Sequence, residues 1–223
     1  MSSTDSLAGI ARLIDHTLLA ADATGAAIDQ LCREAVELGC YSVCVNSSRL
    51  PMVIDLVHRT SVKACAVVGF PLGAMSTAAK RDEAAWCVDQ GAAEIDMVMN
   101  LGWFADGNLS AVGRDVEAVK AACGADAVLK VILETALWAP DAITKACGLV
   151  VDAGADFVKT STGFNAAGGA SLKAVTTMRA AVGPDIGVKA SGGIRDLDTA
   201  RAMLAAGASR LGMSNTPVAL APG

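Results

Sequence analysis

Short apolar runs alternate along the chain with longer stretches in which apolar residues recur every three or four positions. The short runs are rich in β-branched residues, which is typical of buried strands, whereas the longer spacing is typical of amphipathic helices. Eight strands are predicted, at residues 12–17, 41–45, 62–69, 93–100, 127–134, 157–160, 186–190 and 210–213. Because a helical stretch separates each strand from the next, the strands are predicted to run parallel.

Helix ends carry their own signals. Four glycines each follow a helical stretch and precede a strand, as expected where a helix ends in a left-handed residue: Gly39, Gly91, Gly154 and Gly207. Ser171 is placed to cap a helix over residues 172–182. The recurrence of these signals predicts repeated helix-to-strand turns.

Eight strand–helix units favour closure into a single-domain TIM (β/α)8 barrel. The alternative is an open, doubly wound sheet, but its usual fingerprint, G-x-G-x-x-G after the first strand, is absent. No Pro- or Ser-rich linker interrupts the pattern. We therefore predict one barrel domain over residues 1–223, with a lead-in at 1–9 and a tail at 216–223.

Composition narrows the classes of function. Hydrophobic residues make up 53% and charged residues 18%, which indicates a well-buried soluble protein. The net charge of −5 disfavours a nucleic-acid partner, which usually meets a basic face. No apolar run reaches the ~20 residues of a membrane span, and residues 1–9 lack the features of a secretion signal. A cytoplasmic location is expected.

The chain has seven cysteines, with no Cys-x-x-Cys pair, and two histidines far apart. An odd number of cysteines without metal-ligand spacing is typical of reduced thiols in an intracellular protein. No metal site is predicted, because a zinc site would need a closer set of ligands.

Charged residues recur inside strands that should otherwise be apolar, namely Asp15, Asp96, Lys130, Glu134, Lys159 and Lys189. A charge facing the helix layer would be buried without a partner, so these side chains are expected to point into the barrel lumen. Several lie late in their strands, at the end where barrel enzymes place their active sites. The alternative is that they form ion pairs that only hold the barrel together.

Lys159 and Lys189 occupy neighbouring strands at comparable heights. Two ammonium groups close together disfavour each other's charge, so that one can be neutral near pH 7 despite an ordinary pKa of roughly 10.4. A neutral amine is the form that attacks a carbonyl carbon. Asp96, with Asp15, could supply proton transfer through a water molecule. The pair therefore predicts Schiff-base chemistry.

Glycine-rich turns follow the last two strands. Gly192-Gly193 comes after the seventh, and Gly212-Met213-Ser214-Asn215 closes the eighth. Barrel enzymes frequently bind phosphate at this place. Glycine is common in turns of every kind, so the position of these turns after the last strands is the stronger part of the signal.

The chain resembles the deoxyribose-phosphate aldolase family over nearly its whole length. The motifs that carry the resemblance, in family order, are Leu13-Ile14-Asp15-His16-Thr17, Val43-Cys44-Val45-Asn46, Val68-Gly69-Phe70-Pro71-Leu72-Gly73, Glu94-Ile95-Asp96-Met97-Val98, Lys130-Val131-Ile132-Leu133-Glu134-Thr135, Phe157-Val158-Lys159-Thr160-Ser161-Thr162-Gly163 and Val188-Lys189-Ala190-Ser191-Gly192-Gly193-Ile194-Arg195. Several motifs in order are more specific than any one of them.

This resemblance implies an aldolase without cofactor or metal that cleaves 2-deoxy-D-ribose 5-phosphate to D-glyceraldehyde 3-phosphate and acetaldehyde. It implies that Lys159 forms the Schiff base, that Lys189 perturbs it and that Asp96 transfers protons. The implied substrate-binding residues are Asp15, Thr17, Cys44, Thr162, Gly163, Gly192, Gly193, Gly212, Ser214 and Asn215. Cys44 is expected to line the acceptor pocket and not to act as a nucleophile.

Some positions depart from the family pattern. Phe164 stands where some relatives have a lysine that serves the phosphate. The eighth-strand loop reads Gly212-Met213-Ser214-Asn215, where the family usually has Gly-Thr/Ala-Ser-Ser. The only tyrosine is Tyr41, so the proton transfer that a C-terminal tyrosine assists in some relatives is expected to be absent, or the tail to be shortened. We therefore expect intact imine chemistry with a weaker or altered preference for phosphate.

Two rival interpretations remain: another Schiff-base barrel aldolase, acting on a sugar bisphosphate or a 2-keto acid, and a non-catalytic barrel. A non-catalytic barrel would be expected to lose Lys159 or Lys189, and both are present. Barrels often pair through their outer helices, and on that basis a homodimer is the expected assembly.

Overall fold

A computed structural model describes residues 6–221 as eight parallel strands closed into a barrel in the order β1 to β8. The strands are β1 Ile14–Leu18, β2 Ser42–Asn46, β3 Lys63–Val68, β4 Glu94–Val98, β5 Val128–Ile132, β6 Phe157–Lys159, β7 Gly187–Ser191 and β8 Arg210–Met213. Strand β8 pairs with β1, with Ile14 in register with Leu211. This closure confirms the barrel and excludes the open sheet.

One helix precedes the first strand, and the others follow strands and cover the outside of the barrel. They are α1 Leu7–Ala11, α2 Gly25–Leu38, α3 Leu50–Val57, α4 Thr77–Asp89, α5 Leu101–Ala105, α6 Leu109–Cys123, α7 Pro140–Asp152, α8 Leu172–Val182, α9 Leu197–Ala205 and α10 Thr216–Ala219. Helix α1 lies in the predicted lead-in, whose residues 1–5 are outside the described part. Helix α10 lies in the predicted tail, of which residues 222–223 are outside it.

All eight predicted strands are present, and several end earlier than predicted. The strand predicted at 93–100 ends at Val98, because Asn100 caps helix α5 by accepting a hydrogen bond from the Trp103 amide at 3.0 Å. The strand predicted at 127–134 ends at Ile132, because Glu134 takes a left-handed backbone conformation. Helices α1 and α5 were not predicted, since five residues are too few to show a helical period.

The predicted helix ends are confirmed. The four glycines have φ angles of +69°, +104°, +95° and +112°, in the order Gly39, Gly91, Gly154 and Gly207. Ser171 accepts a hydrogen bond from the Ala174 amide through its Oγ at 3.1 Å and so caps α8.

The main apolar core lies between the barrel and its helices, and it includes Val43, Ile95 and Val131 from the strands. All seven cysteines are buried and carry free thiols. Burial raises the pKa of outer-layer thiols such as those of Cys87 and Cys147 to about 12, so they stay protonated near neutral pH. Among the helices of residues 6–221, none has both the length and the apolar character needed to cross a membrane.

Candidate active site

Lys159 is the last residue of β6, and its side chain is 3% exposed at the carboxyl end of the barrel. Its Nζ donates to Asp96 Oδ2 at 2.6 Å. In the sheet register Lys159 lies directly opposite Lys189 on β7. The structure therefore brings together the two lysines and the aspartate that the sequence singled out.

Asp96 is the centre of this cluster. Its Oδ2 accepts from both Lys159 and Lys189, at 2.6 and 2.7 Å, and its Oδ1 accepts from Lys130 at 2.8 Å. Burial by itself would raise the pKa of Asp96, but the three ammonium groups hold this pKa well below its ordinary value. Asp96 is therefore an anion at neutral pH and stands between the lysines.

Lys189 is fully buried between two carboxylates. It forms an ion pair with Asp15 Oδ2 as well as with Asp96. Burial would lower the pKa of Lys189, but these carboxylates raise it above its ordinary range. The structure thus adds a carboxylate to the predicted lysine pair, because Asp96 Oδ2 accepts hydrogen bonds from both amines.

Asp15 on β1 is held by hydrogen bonds from Arg210 and Ser42. Its Oδ1 accepts from Arg210 Nη1 and from Ser42 Oγ, each at 2.8 Å. Burial would raise the pKa of Asp15, yet Lys189, Lys130 and Arg210 lower it. Asp15 fixes the position of Lys189 and is itself enclosed, with no exposed surface.

A lower layer of the cluster was missed by the sequence reasoning. Arg210 Nη1 contacts Glu94 Oε2 at 3.0 Å, and Lys130 Nζ contacts the same oxygen at 2.7 Å. The guanidinium of Arg210 lies 3.4 Å from the centre of the Tyr41 ring, which covers it from outside. Alternation was the available signal, because Glu94 lies two residues before Asp96 and shares its side of the strand.

The charges of the cluster bear on Lys159. The ion pairs of the whole cluster join three carboxylates to four basic side chains. The carboxylates belong to Asp15, Glu94 and Asp96, and the basic side chains are those of Lys130, Lys159, Lys189 and Arg210. Lys159 pairs with one carboxylate, that of Asp96, whereas Lys130, Lys189 and Arg210 each pair with two or three. Lys159 is therefore the least constrained cation of the cluster.

Above Lys159 lies a cavity of about 400 Å³, at the carboxyl ends of β1, β6, β7 and β8. The predicted residues that line it are Thr17, Lys159, Thr162, Gly163, Gly192, Gly193, Gly212 and Ser214. The predicted residues that do not line it are Asp15, Cys44, Asp96, Lys189 and Asn215. Lys159 is the member of the charged cluster that reaches the cavity, and it does so from the floor.

A larger cavity of about 610 Å³ lies elsewhere, between α1 and α9. It is lined mainly by apolar residues such as Ile10, Leu13 and Leu204, with Arg201 as its charged residue. It contains no amine beside a carboxylate, so the chemistry belongs to the smaller cavity.

The loops after β6 and β7 are joined by hydrogen bonds. Ser191 Oγ donates to the Ser161 carbonyl at 2.6 Å, and the Ser191 amide donates to Thr160 Oγ1 at 3.0 Å. Gly192 has a φ angle of +85°, and a Cβ there would lie 3.0 Å from the Gly169 Cα and 3.4 Å from the Gly163 Cα. The cavity wall therefore depends on glycine at this close approach.

Phe164 and Arg195 form the outer part of the cavity. The Phe164 ring is 55% exposed and packs edge-on against Phe70, with 5.3 Å between ring centres. Arg195 is an exposed cation in the same lining. Its sequence signal was its position two residues after Gly193, but the sequence reasoning did not name it as a site residue.

Cys44 lies beneath the cavity, fully buried with Cys65 and Val67. Sulfur atoms of the two cysteines and a carboxylate oxygen of Asp96 lie within 4.8 Å of one another, a grouping that could offer three ligands to a metal ion. Asp96 is already bonded to three ammonium groups, whose charge opposes a divalent cation. The set is better suited to holding Asp96 in place than to binding metal.

Comparison with known proteins agrees with this geometry. A family model described as DeoC/LacD family aldolase matches residues 10–215. The chain is 52% identical over 209 residues to a deoxyribose-phosphate aldolase of Kocuria rhizophila, and 50% identical over 206 residues to one of a Geobacillus species. These alignments cover 94% and 92% of both chains, respectively.

A solved structure gives the same result. The tetrameric deoxyribose phosphate aldolase of Aeropyrum pernix superposes with a TM-score of 0.90 at 36% identity, covering 97% of this chain and 91% of that one. The sequence motifs, the barrel and the lysine-bearing site thus agree with the family match. This chain belongs to the DeoC/LacD family of aldolases.

Proposed function

We propose that this protein cleaves 2-deoxy-D-ribose 5-phosphate reversibly to D-glyceraldehyde 3-phosphate and acetaldehyde, through a Schiff base on Lys159. The observation that carries the proposal is the position of the Lys159 amine on the cavity floor. This amine donates a hydrogen bond to Asp96, which also accepts one from Lys189. The names of the relatives support the choice of substrate.

The chemistry begins at the substrate aldehyde. The Lys159 amine adds to this carbon, and loss of water gives the imine. When a base removes the proton of the C3 hydroxyl, the C2–C3 bond breaks and its electron pair moves into the imine to form an enamine. Glyceraldehyde 3-phosphate leaves, a proton returns to the enamine carbon, and water hydrolyses the remaining imine to release acetaldehyde.

The neighbours of Lys159 fit these steps. We assign proton transfer to Asp96, acting through a water molecule, because its Oδ2 lies within hydrogen-bond distance of the reacting amine. Lys189 stays charged because Asp15 and Asp96 raise its pKa. Its charge lies beside the amine, and a neighbouring cation is a recognised means of activating a lysine nucleophile. Asp15 acts through Lys189, and its predicted role in substrate binding stays a prediction.

We place the phosphate of the substrate beyond the glycine turns after β6, β7 and β8. Gly192, Gly193 and Gly212 line the cavity there, and Arg195 supplies a positive charge in the same lining. Phe164 contributes an apolar edge where some relatives have a lysine. We therefore propose that the protein prefers the phosphorylated over the unphosphorylated substrate less strongly than it would with a lysine at position 164.

The substrate preference is tested by comparing kcat/KM for 2-deoxyribose with and without its 5-phosphate, in the wild type and in Phe164→Lys. The lysine variant is expected to widen the ratio between the two substrates. A wild type that already prefers the phosphate ester strongly, with no further gain in Phe164→Lys, would contradict this part of the proposal.

A borohydride trap tests the central step. The protein is incubated with acetaldehyde and reduced, and the added mass is located by peptide mapping. The expected result is one ethyl group on Lys159 and none in Lys159→Leu. Absence of the adduct in the wild type would favour a non-catalytic barrel, and an adduct without cleavage of the deoxyribose ester would favour another aldolase.

Assembly and location complete the proposal. We infer a homodimer formed through the outer helices, and a cytoplasmic place of action where phosphorylated sugars and aldehydes are available. Sedimentation at several protein concentrations would distinguish a dimer from a tetramer such as the one described for the Aeropyrum pernix enzyme.

A further inference from the structure

Glu134 has an unusual backbone for a residue with a side chain. It lies two residues after β5, with φ +54° and ψ +56°, and among residues 6–221 it is the single non-glycine position with positive φ. Left-handed conformations are unfavourable for glutamate, and such positions gather at functional sites when the surrounding structure holds them. Glu134 is also 1% exposed, so its carboxylate is inside the protein.

Both oxygens of this carboxylate are bonded to one residue. The Thr162 amide donates to Oε1 at 3.2 Å, and Thr162 Oγ1 donates to Oε2 at 2.6 Å. Within the described residues no lysine, arginine or histidine forms an ion pair with Glu134. The carboxylate therefore does not belong to the charged cluster around Asp96, and its contacts are with the loop after β6.

The bonded loop lies between the reacting amine and the outer part of the cavity. Thr162 follows Lys159 by three residues, and its Oγ1 accepts from the Phe164 amide at 3.0 Å. Thr162, Gly163 and Phe164 all line the cavity. A hydrogen-bonded chain thus runs from Glu134 through Thr162 to Phe164.

A displacement of the loop after β6 would also shift the loop after β7. Gly163 packs against Gly192, since a Cβ on Gly163 would lie 3.8 Å from the Gly192 Cα. Gly192 and Gly193 form the turn that the proposed function assigns to phosphate. The shape of both glycine turns therefore depends on where Thr162 is held.

We propose that Glu134 is a positioning residue that fixes the loop after β6 for binding the phosphate-bearing end of the substrate. This inference rests on the proposed function, because it takes the glycine turns as the phosphate site. Glu134 does not reach the reacting atoms. Its loss should weaken binding of the phosphorylated substrate more than it slows carbon–carbon bond cleavage.

Two substitutions distinguish the role of the Glu134 backbone conformation from the role of its carboxylate. Glu134→Gly accepts the left-handed conformation without strain and removes the bonds to Thr162. Glu134→Gln keeps an acceptor for the Thr162 amide but replaces the acceptor of its hydroxyl with a donor. If Glu134 served only the turn between β5 and α7, Glu134→Gly would bind substrate like the wild type.

Asp156→Asn is the matched control. Asp156 joins the same two strands at their other end, where its Oδ2 accepts from the Leu129 amide at 2.7 Å and from Lys120 at 2.6 Å. Its loss should lower Tm through the same part of the barrel without changing KM. Each variant is measured for KM and kcat on the 5-phosphate, for kcat/KM on 2-deoxyribose, for Tm and for borohydride trapping of acetaldehyde.

The expected result for Glu134→Gly is a KM for the phosphate ester raised at least tenfold, with kcat, trapping and kcat/KM for 2-deoxyribose within threefold of wild type. Glu134→Gln should raise KM three- to tenfold, and it decides the matter if the glycine variant does not fold. An unchanged KM, an equal loss on both substrates or an equal KM rise in Asp156→Asn would overturn the inference alone. A wild type without an adduct on Lys159 would overturn the proposed function and this inference together.

Discussion

At the scale of single residues, Lys159 differs from its neighbours in how many charged groups hold it. Asp96 is held as an anion by three ammonium groups, and Lys189 is held as a cation by two carboxylates. Lys159 has one carboxylate contact and reaches the cavity. This asymmetry, more than the presence of two lysines, distinguishes the proposed nucleophile.

Replacing Lys159 tests the assignment directly. Lys159→Leu should reduce kcat by at least a thousandfold, because no other basic side chain of the cluster lines the cavity. Lys159→Arg is the matched control, since it keeps the positive charge but cannot form an imine. Turnover within tenfold of wild type in either variant would refute the assignment.

Replacing Lys189 tests the part played by the fixed cation. Lys189→Leu should slow imine formation and move it to higher pH, because the attacking amine no longer has a buried positive charge beside it. Lys189→Arg retains the charge and should keep a pH profile close to that of wild type. The measurement is the rate of borohydride-trapped adduct between pH 6 and pH 10, and an unchanged profile in Lys189→Leu would count against the account.

At the scale of elements, one buried ion pair joins two helices to the sheet. Lys80 on α4 donates to Asp115 on α6 at 2.6 Å and to the Val98 carbonyl at the end of β4 at 2.9 Å. Both side chains have no exposed surface. The pair therefore fixes α4 and α6 against the strand that carries Asp96.

Removing one partner of this pair should cost more than removing both. Lys80→Met leaves the Asp115 carboxylate buried and should lower the free energy of unfolding by roughly 3–5 kcal/mol. Lys80→Met combined with Asp115→Leu removes both charges and should be less damaging. Urea denaturation of the wild type, Lys80→Met and the double variant provides the comparison; a double variant destabilised as much as Lys80→Met, or more, would contradict it.

At the scale of the whole molecule, acid should destabilise the barrel through its interior. Asp15 and Asp96 have pKa values below the ordinary value of 3.8, so their ion pairs stabilise the folded state fully above that pH. As pH falls below about 4, the Asp15 and Asp96 carboxylates bind protons in the unfolded chain but stay ionised in the folded chain. The stability that they contribute is therefore lost progressively.

The expected pH dependence follows from this sign. The contribution of the two carboxylates to the free energy of unfolding should be constant from pH 7 to about pH 5 and should fall steeply below pH 4. Urea denaturation at half-unit steps measures it, and Asp15→Asn should show a weaker dependence below pH 4. A decline already complete at pH 5 would indicate that other groups control acid stability.

Much of this protein was determined by its sequence alone. The alternation of strand and helix patterns, the glycines at helix ends and charged residues inside strands predicted the barrel and placed Lys159, Lys189 and Asp96 together. These features are local or periodic, and parallel strands necessarily bring their carboxyl ends to one side.

Only the tertiary structure decided which charges are partners. Arg210 and Asp15 are nearly two hundred positions apart, yet barrel closure brings β8 against β1 and pairs them. Lys80 lies on a helix, where a charged side chain would be expected in solvent, but the packing of α4 on α6 buries it. The proposed role of Glu134 could be inferred only from the three-dimensional structure. Its hydrogen bonds to Thr162 join the loop after β5 to the loop after β6, and the sequence does not show this contact.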